Sequence, residues 1–152
     1  MDLIFRKAQK KDVATLVRLQ NEGGPDGRPR KELPTVLPEG FLKAFEIISA
    51  DPKQTLMVVE GNGSIVGTFH LTFLTYLAGE GKDDLQMEAF HVDAQHRGQG
   101  IGSKMVSWTI QLAQERNCRR IQLTTDKRRT DAHRFYERLG FTLSHEGAKL
   151  NL

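Results

Sequence analysis

Cysteine is almost missing from this sequence, since Cys118 is the only one among its 152 residues. A single thiol excludes an intrachain disulfide and a metal site built from a cysteine cluster. The sequence also has no apolar run near the ~20 residues that a membrane-spanning helix needs. Its first residues, Met1 to Arg6, become charged at once and lack the order of a signal peptide. We therefore expect a soluble, cytoplasmic protein that folds without disulfides.

A large excess of either charge is absent as well, because 22 lysine and arginine residues face 19 acidic residues and leave a net charge of +3. No nucleic-acid-binding motif accompanies the one dense basic patch. We therefore expect a solvated surface there and no nucleic-acid partner. The patch comprises Arg116, Arg119, Arg120, Lys127, Arg128 and Arg129.

The apolar pattern predicts alternating strands and helices within one domain that covers residues 1–152. The predicted order is β, α, α, β, β, β, α, β, α, β, β, with the last two strands after Phe141, around Gly147. Such an order is typical of an α/β sheet with mixed strand directions. Between the first two helices, residues 23–40 are rich in glycine and proline, and a loop of this length is often functional.

A glycine-rich turn stands between a predicted strand and a predicted helix. Gly98, Gly100 and Gly102 occupy alternate positions, so backbone N–H groups can crowd one point without Cβ clashes. The N–H groups in the first turn of a helix have no intrahelical partner and favour a diphosphate, and Arg97 adds a positive charge. The turn fits neither a dinucleotide fingerprint, which needs glycine where Ser103 stands, nor a P-loop.

This turn resembles the acetyl-coenzyme-A signature of the GNAT superfamily of N-acetyltransferases, Arg/Gln-x-x-Gly-x-Gly/Ala, which Arg97, Gly100 and Gly102 match. The segment from Ala132 to Phe141 is similar to the family's Ala-x-x-Phe-Tyr-Glu-x-x-Gly-Phe. Two motifs at the expected separation are more specific than either alone. The resemblance implies a GNAT-like α/β fold, with a mixed, mostly antiparallel sheet of about six or seven strands, splayed at the cofactor site and flanked by about four helices.

The same resemblance implies that acetyl-coenzyme A (acetyl-CoA) is the cofactor. A strand through Phe90 and His91 is expected to splay from its neighbour, so that the N–H of Val92 faces the acetyl carbonyl. Many members carry asparagine where this chain has Arg129, and an arginine there can instead meet a coenzyme A phosphate. The predicted cofactor-binding residues are Phe90, His91, Val92, Arg97, Gly98, Gln99, Gly100, Ile101, Gly102, Ser103, Arg129 and Tyr136.

Acetyl transfer to an amine needs a base and a proton for the departing thiolate. Glu88 and His91 are both candidates for the base, and at a spacing of three residues we expect them on opposite faces of a strand. Glu88 is expected to share a face with Phe90 and Val92, and the resemblance favours it slightly, although ordered water is a third option. The resemblance gives Tyr136 the role of the acid, and the alternative is that its ring only packs.

We therefore predict an acetyl-CoA-dependent N-acetyltransferase that acts by direct transfer on a primary amine of a small molecule or peptide. Two alternatives stay open: a regulatory module that keeps the acetyl-CoA pocket without efficient turnover, and a protein lysine or N-terminal acetyltransferase. No metal is expected, because His133 has no ligand cluster at a suitable spacing. A homodimer is one option for the assembly.

Overall fold

The computed structural model describes residues 1–24 and 28–152. Its strands and helices are β1 (Leu3–Lys7), α1 (Val13–Glu22), α2 (Glu39–Ala50), β2 (Gln54–Gly61), β3 (Ser64–Thr75), β4 (Asp83–Val92), α3 (Ile101–Glu115), β5 (Arg120–Gln122) and α4 (Thr130–Arg138). Within these residues, no helix has both the length and the apolar character needed to cross a bilayer. Three residues of the predicted loop, Pro25 to Gly27, lie outside the described part of the chain.

The strands form one sheet in the order β1-β2-β3-β4-β5. Neighbouring strands are antiparallel except β4 and β5, which are parallel. Side chains alternate between the two faces of a strand, and one face of β3 and β4 carries the buried residues Phe69, Leu71, Leu85 and Met87. This face packs against α3, whereas α1 and α2 contact the strands from the opposite face.

Helix α3 confirms the apolar stripe that the sequence predicts. Ile101 and Met105 are buried, and the Trp108 ring stacks on Phe5 of β1 at a centroid distance of 5.5 Å. Residues three and four apart lie on the same side of a helix, so the stripe fixes how α3 is oriented on the sheet. The N-terminus of α3 is thereby directed to the end of β4.

The described sheet has five strands, so the expectation of six or seven was wrong. The two strands expected after Phe141 do not form, and residues 142–152 carry no regular secondary structure. A strand is stabilised by pairing and by burying one of its faces. These residues do neither, since all of them are exposed and Leu150 keeps 86% of its accessible surface. The expectation of about four helices is confirmed.

Candidate active site

An extra residue in β4 shapes the site. Opposite β3, Glu88 pairs with His70 and His91 pairs with Thr68. Two residues of β4 therefore face a single residue of β3, which defines a β-bulge. Ala89, inside the bulge, has a φ of 47°, a left-handed conformation that residues other than glycine seldom adopt.

The bulge puts Glu88 and His91 on the same face of the sheet, because their partners on β3 lie two residues apart. The expectation of opposite faces was therefore wrong. So was the expectation that Glu88 shares a face with Phe90 and Val92: the Phe90 ring lies on the other face, 6.2 Å from the ring of Tyr136. Strict alternation of side chains between the two faces of a strand puts residues three apart on opposite faces, and it does not allow for one inserted residue.

Beyond Gln86, the outer edge of β4 has no strand partner in the described residues, since parallel pairing with β5 covers Asp84–Gln86 alone. At the far end of β4, the N–H of Asp93 donates to the carbonyl of Val66 at 2.9 Å. Backbone groups of successive residues point to opposite sides of a strand. The N–H of Val92 therefore points away from β3, towards the open edge.

The predicted glycine turn lies at the start of α3. Gly98 and Gly100 have φ angles of 76° and 77°, so the backbone itself requires glycine there. Gly102 is different, because a Cβ at this position would lie 3.2 Å from Cζ of Phe135; its role is the close packing of α3 against α4. The first bond within the helix runs from the N–H of Lys104 to Gly100 O at 3.2 Å, which leaves the preceding N–H groups for an anion.

A groove of about 2050 Å³ runs along the open edge of β4, between the start of α3, helix α4 and residues 142–149. Gln99 is exposed and lies outside its lining, so its contact with the cofactor stays a prediction. A long groove with free N–H groups at one end and a free strand edge along its length fits the predicted cofactor. The other predicted cofactor residues line it: Phe90, His91, Val92, Arg97, Gly98, Gly100, Ile101, Gly102, Ser103, Arg129 and Tyr136.

Tyr136 lies at the wall of this groove and is 8% exposed. Burial raises the pKa of its phenol to about 12, and the charge of Arg129 acts in the opposite direction. The rings of Phe90, Phe135 and Phe141 surround it at centroid distances of 6.2, 5.1 and 5.6 Å. A phenol with this pKa stays protonated at neutral pH and is able to donate its proton.

His91 lies in a positive field. Burial, followed by the charges of Arg30, Arg129 and Arg97, lowers the pKa of its imidazole to about 4. The ring is therefore neutral at pH 7. It also packs against Gly23, where a Cβ would overlap the imidazole. Sequence reasoning missed Arg30 and Gly23, because a glycine- and proline-rich loop shows no motif.

Glu88 is exposed and lines the groove. Across the strand pair, its charge acts on His70, whose pKa is lowered by burial and partly restored by Glu88. The ring of His70 is held by a hydrogen bond of 2.9 Å between its Nε2 and Oε1 of Gln54. The carboxylate of Glu88 thus faces a fixed, half-buried neighbour on one side and the groove on the other.

A second pocket, of about 470 Å³, adjoins the groove. Arg30, Ala89 and His91 line both cavities, so the bulge forms the wall between them. The sequence indicates this pocket only as a long loop of functional potential. Its other lining residues are Val17, Gln20, Asn21, Lys31, Leu33 and Phe41.

The basic patch that the sequence suggests is partly neutralised. Arg119 and Arg120 both donate to the buried carboxylate of Asp84, at distances between 2.9 and 3.0 Å. Arg128 donates to Asp126 at 2.8 Å. These pairs leave less positive charge on this surface than the sequence suggests.

Comparison with known proteins places this site in context. The model of the Acetyltransferase (GNAT) family matches residues 14–141. An aminoalkylphosphonate N-acetyltransferase of Salmonella typhimurium is 29% identical over 113 residues, which cover 70% of this chain and 69% of that protein. A spermine/spermidine N(1)-acetyltransferase of Bacillus subtilis is 36% identical over 61 residues, which cover 40% of each chain. The crystal structure of a transcriptional regulator from Bacillus halodurans C-125 is 40% identical, with a TM-score of 0.90, over 99% of this chain and 100% of that one.

Proposed function

The chain belongs to the acetyltransferase (GNAT) family and is an acetyl-CoA-dependent N-acetyltransferase, and from this premise we propose that it passes the acetyl group directly to the primary amine of a small molecule. The observation that carries the proposal is the junction of the two cavities at Arg30, Ala89 and His91. Direct transfer requires both substrates side by side. A groove for the donor that meets a pocket for the acceptor supplies that arrangement.

Acetyl-CoA supplies an activated acetyl group as a thioester, and the groove has the groups to hold it. The N–H groups at the start of α3 and the guanidinium of Arg97 would bind the diphosphate. The free edge of β4 would pair with the amides of the pantetheine arm, as an added strand pairs with a sheet edge. The N–H of Val92 would donate to the acetyl oxygen, where negative charge develops.

Glu88 is our candidate for the group that takes a proton from the acceptor amine, directly or through water. Because Glu88 and His91 share a face of the sheet, geometry alone is compatible with either residue as the base. Burial, followed by the charges of Arg30, Arg129 and Arg97, lowers the pKa of His91 to about 4, so proton uptake by this ring is unfavourable at neutral pH. Glu88 is exposed and lines the groove, so we prefer it to the buried imidazole of His91 as the base.

Tyr136 is our candidate for the group that protonates the departing thiolate. It lines the groove and keeps its proton at neutral pH, because burial raises its pKa to about 12. Arg129, whose charge acts on both Tyr136 and His91, would stabilise negative charge that appears near the sulfur. This role differs from the phosphate contact that the sequence suggests for Arg129.

A small acceptor is favoured over a protein. The second pocket, of about 470 Å³, lies within the range of small-molecule sites, roughly 300–1,000 Å³. The two curated relatives are named for small amines, an aminoalkylphosphonate in one case and spermine or spermidine in the other. These names support the same class of acceptor for this chain.

The experiment is a steady-state study of thiol release from acetyl-CoA with a panel of small primary amines, with the acetylated product identified by mass spectrometry. Direct transfer predicts intersecting double-reciprocal plots when both substrates are varied, because a ternary complex must form. Parallel lines, together with an acetylated protein intermediate, would overturn direct transfer. Binding of acetyl-CoA in calorimetry without turnover of any amine would favour a regulatory module.

A further inference from the structure

We infer that the acceptor is an amine that also carries an anionic group, such as a carboxylate, phosphate or phosphonate, and that Arg30 and Lys31 bind this group. The inference rests on the proposed function, because it assigns the second pocket to the acceptor. It goes further by stating the charge of the acceptor. The amines for which the two relatives described above are named differ in charge, because an aminoalkylphosphonate is anionic at one end and a polyamine is cationic throughout.

The second pocket is positively charged. Arg30 and Lys31 both line it, and none of the described residues in its lining is acidic. The remaining polar groups there are neutral: the amides of Gln20 and Asn21 and the uncharged imidazole of His91. A second cation on the acceptor would face two fixed cations without a partner, whereas an anion would accept charge-assisted hydrogen bonds from both.

The two cations are also held in place. Asn21, near the end of α1, binds the segment that carries them through three hydrogen bonds: Arg30 N–H to the Asn21 carbonyl at 2.8 Å, Asn21 Nδ2 to the Lys31 carbonyl at 2.8 Å, and Lys31 N–H to Asn21 Oδ1 at 3.1 Å. Arg30 Nη2 donates to the carbonyl of Gly23 at 3.1 Å, and the Lys31 ammonium lies 5.5 Å from the ring centroid of Phe41. The three bonds to Asn21 fix the backbone of the segment, and the last two contacts orient the side chains of Arg30 and Lys31.

The carboxylate of Asp126, which the charge of Arg30 reaches, does not cancel the charge of the pair. It lines the groove and not the pocket. It also accepts hydrogen bonds from the Arg128 side chain, at 3.0 and 2.8 Å. Lys31 lines the pocket alone, whereas Arg30 lines both cavities.

The same arrangement indicates the shape of the acceptor. Its amine must reach the groove beside Ala89 and His91, where the cavities meet and where Arg30 also lies, so its anionic end extends from Arg30 towards Lys31. Val17 and Phe41 supply apolar wall in the same pocket. An amine and an anion joined by a short aliphatic chain fits this order of groups.

The test compares primary amines of similar size that differ in the charge at the far end: 2-aminoethylphosphonate and β-alanine (anionic), propylamine (neutral) and 1,3-diaminopropane (cationic). Thiol release at saturating acetyl-CoA gives kcat/KM for each. We expect the anionic amines to be preferred by about tenfold or more, the size of one charge-assisted hydrogen bond. Lys31→Gln should raise KM for 2-aminoethylphosphonate by about the same factor and leave KM for propylamine little changed.

Arg28→Gln is the matched control. It removes a positive charge from the same segment, and Arg28 is exposed, as Lys31 is, but lines neither cavity. We expect its KM values to equal those of the parent. If Arg28→Gln has the same effect as Lys31→Gln, the preference comes from the overall charge of the segment, and the assignment to the pocket is overturned.

The possible failures are distinguishable. If kcat/KM for propylamine or 1,3-diaminopropane equals or exceeds that for the anionic amines, the inference about charge is wrong while the proposed function stands. If no amine releases thiol, the proposed function fails, and the inference is then decided by calorimetry on the coenzyme-A-bound protein. The inference requires that 2-aminoethylphosphonate binds more tightly than 1,3-diaminopropane and that Lys31→Gln removes this difference in affinity. Equal or reversed affinities would overturn the inference.

Discussion

At this site, single residues act through the conformation of their backbone as much as through their side chains. Gly100 contributes a φ of 77° and Ala89 one of 47°, while Val92 contributes an N–H directed at the open edge. Gly100 tolerates few substitutions, because a side chain in the left-handed region costs about 1–2 kcal/mol. Side-chain chemistry is concentrated in Tyr136, Glu88 and the arginines around His91.

Gly100→Val should weaken coenzyme A binding by about tenfold or more, because a branched side chain both strains the turn and crowds the anion site. Gly63→Val is the control, since Gly63 has the same φ of 77° and equally open surroundings, in the turn between β2 and β3. The two variants should lose similar stability, and only Gly100→Val should lose affinity in calorimetry. Equal affinities would contradict the placement of the diphosphate.

Tyr136→Phe should lower kcat by about 100-fold, because it removes the proton donor and keeps the ring. The KM for acetyl-CoA should change little. Tyr76→Phe is the control, because Tyr76 is an exposed tyrosine outside the groove. A kcat for Tyr136→Phe within a few-fold of the parent, measured where chemistry limits the rate, would show that the hydroxyl is not the acid.

The imidazole of His91 should titrate near pH 4, well below the ordinary value of 6.5. Because the unfolded chain takes up this proton at a higher pH than the folded protein, the stability that neutral His91 contributes is complete above pH 6.5 and is lost as the pH falls towards 4. Nuclear magnetic resonance of the ring measures the pKa, and urea unfolding between pH 4 and 7 measures the loss. His91→Gln should make that loss smaller; a ring that titrates near 6.5 would contradict the burial argument.

At the scale of elements, the spacing of apolar residues predicts which segments form helices or strands. It does not predict where a strand carries an extra residue or which strand it pairs with. The helical stripe of Ile101 and Met105 locates α3, and the two motifs locate the groove. The bulge at Ala89 cannot be read from periodicity, because its mark is one additional residue in a strand; the resemblance alone led us to expect that the strand splays near Phe90. The strands expected after Phe141 fail for a different reason: the spacing of Leu150 and its neighbours permits a strand but does not ensure a partner or a surface to cover.

Asp84→Asn should destabilise the start of the β4 and β5 pair. The Asp84 side chain is fully buried and accepts hydrogen bonds from the partly exposed side chains of Arg119 and Arg120, and losing hydrogen bonds to a charged group costs about 1.5 kcal/mol or more. Glu39→Gln is the control, because its partner Lys43 lies 4.0 Å away at an exposed position, and we expect a change below about 0.5 kcal/mol. Urea unfolding measures both, and equal losses would contradict the structural role of Asp84.

At the scale of the whole molecule, the two edges of the sheet should respond differently to the cofactor. Coenzyme A at 100 times its Kd should raise the free energy of unfolding by about 2.7 kcal/mol. In hydrogen exchange, we expect slower exchange at Val92 and in the first turn of α3, with no comparable change along β1 at the opposite edge. Protection of β1 equal to that of β4 would argue for general stabilisation instead of binding in the groove.

The wall that the two cavities share has a consequence for how such a site arises and is lost. Arg30, Ala89 and His91 belong to both cavities, and the bulge at Ala89 bends β4 and increases its twist. A lineage that deleted this one codon would straighten β4, and β4 could then pair with β5 beyond Gln86 along the edge that now stays open. Donor and acceptor sites would disappear in one step, so for this sheet an insertion or deletion in a strand is a larger functional event than most substitutions in its loops.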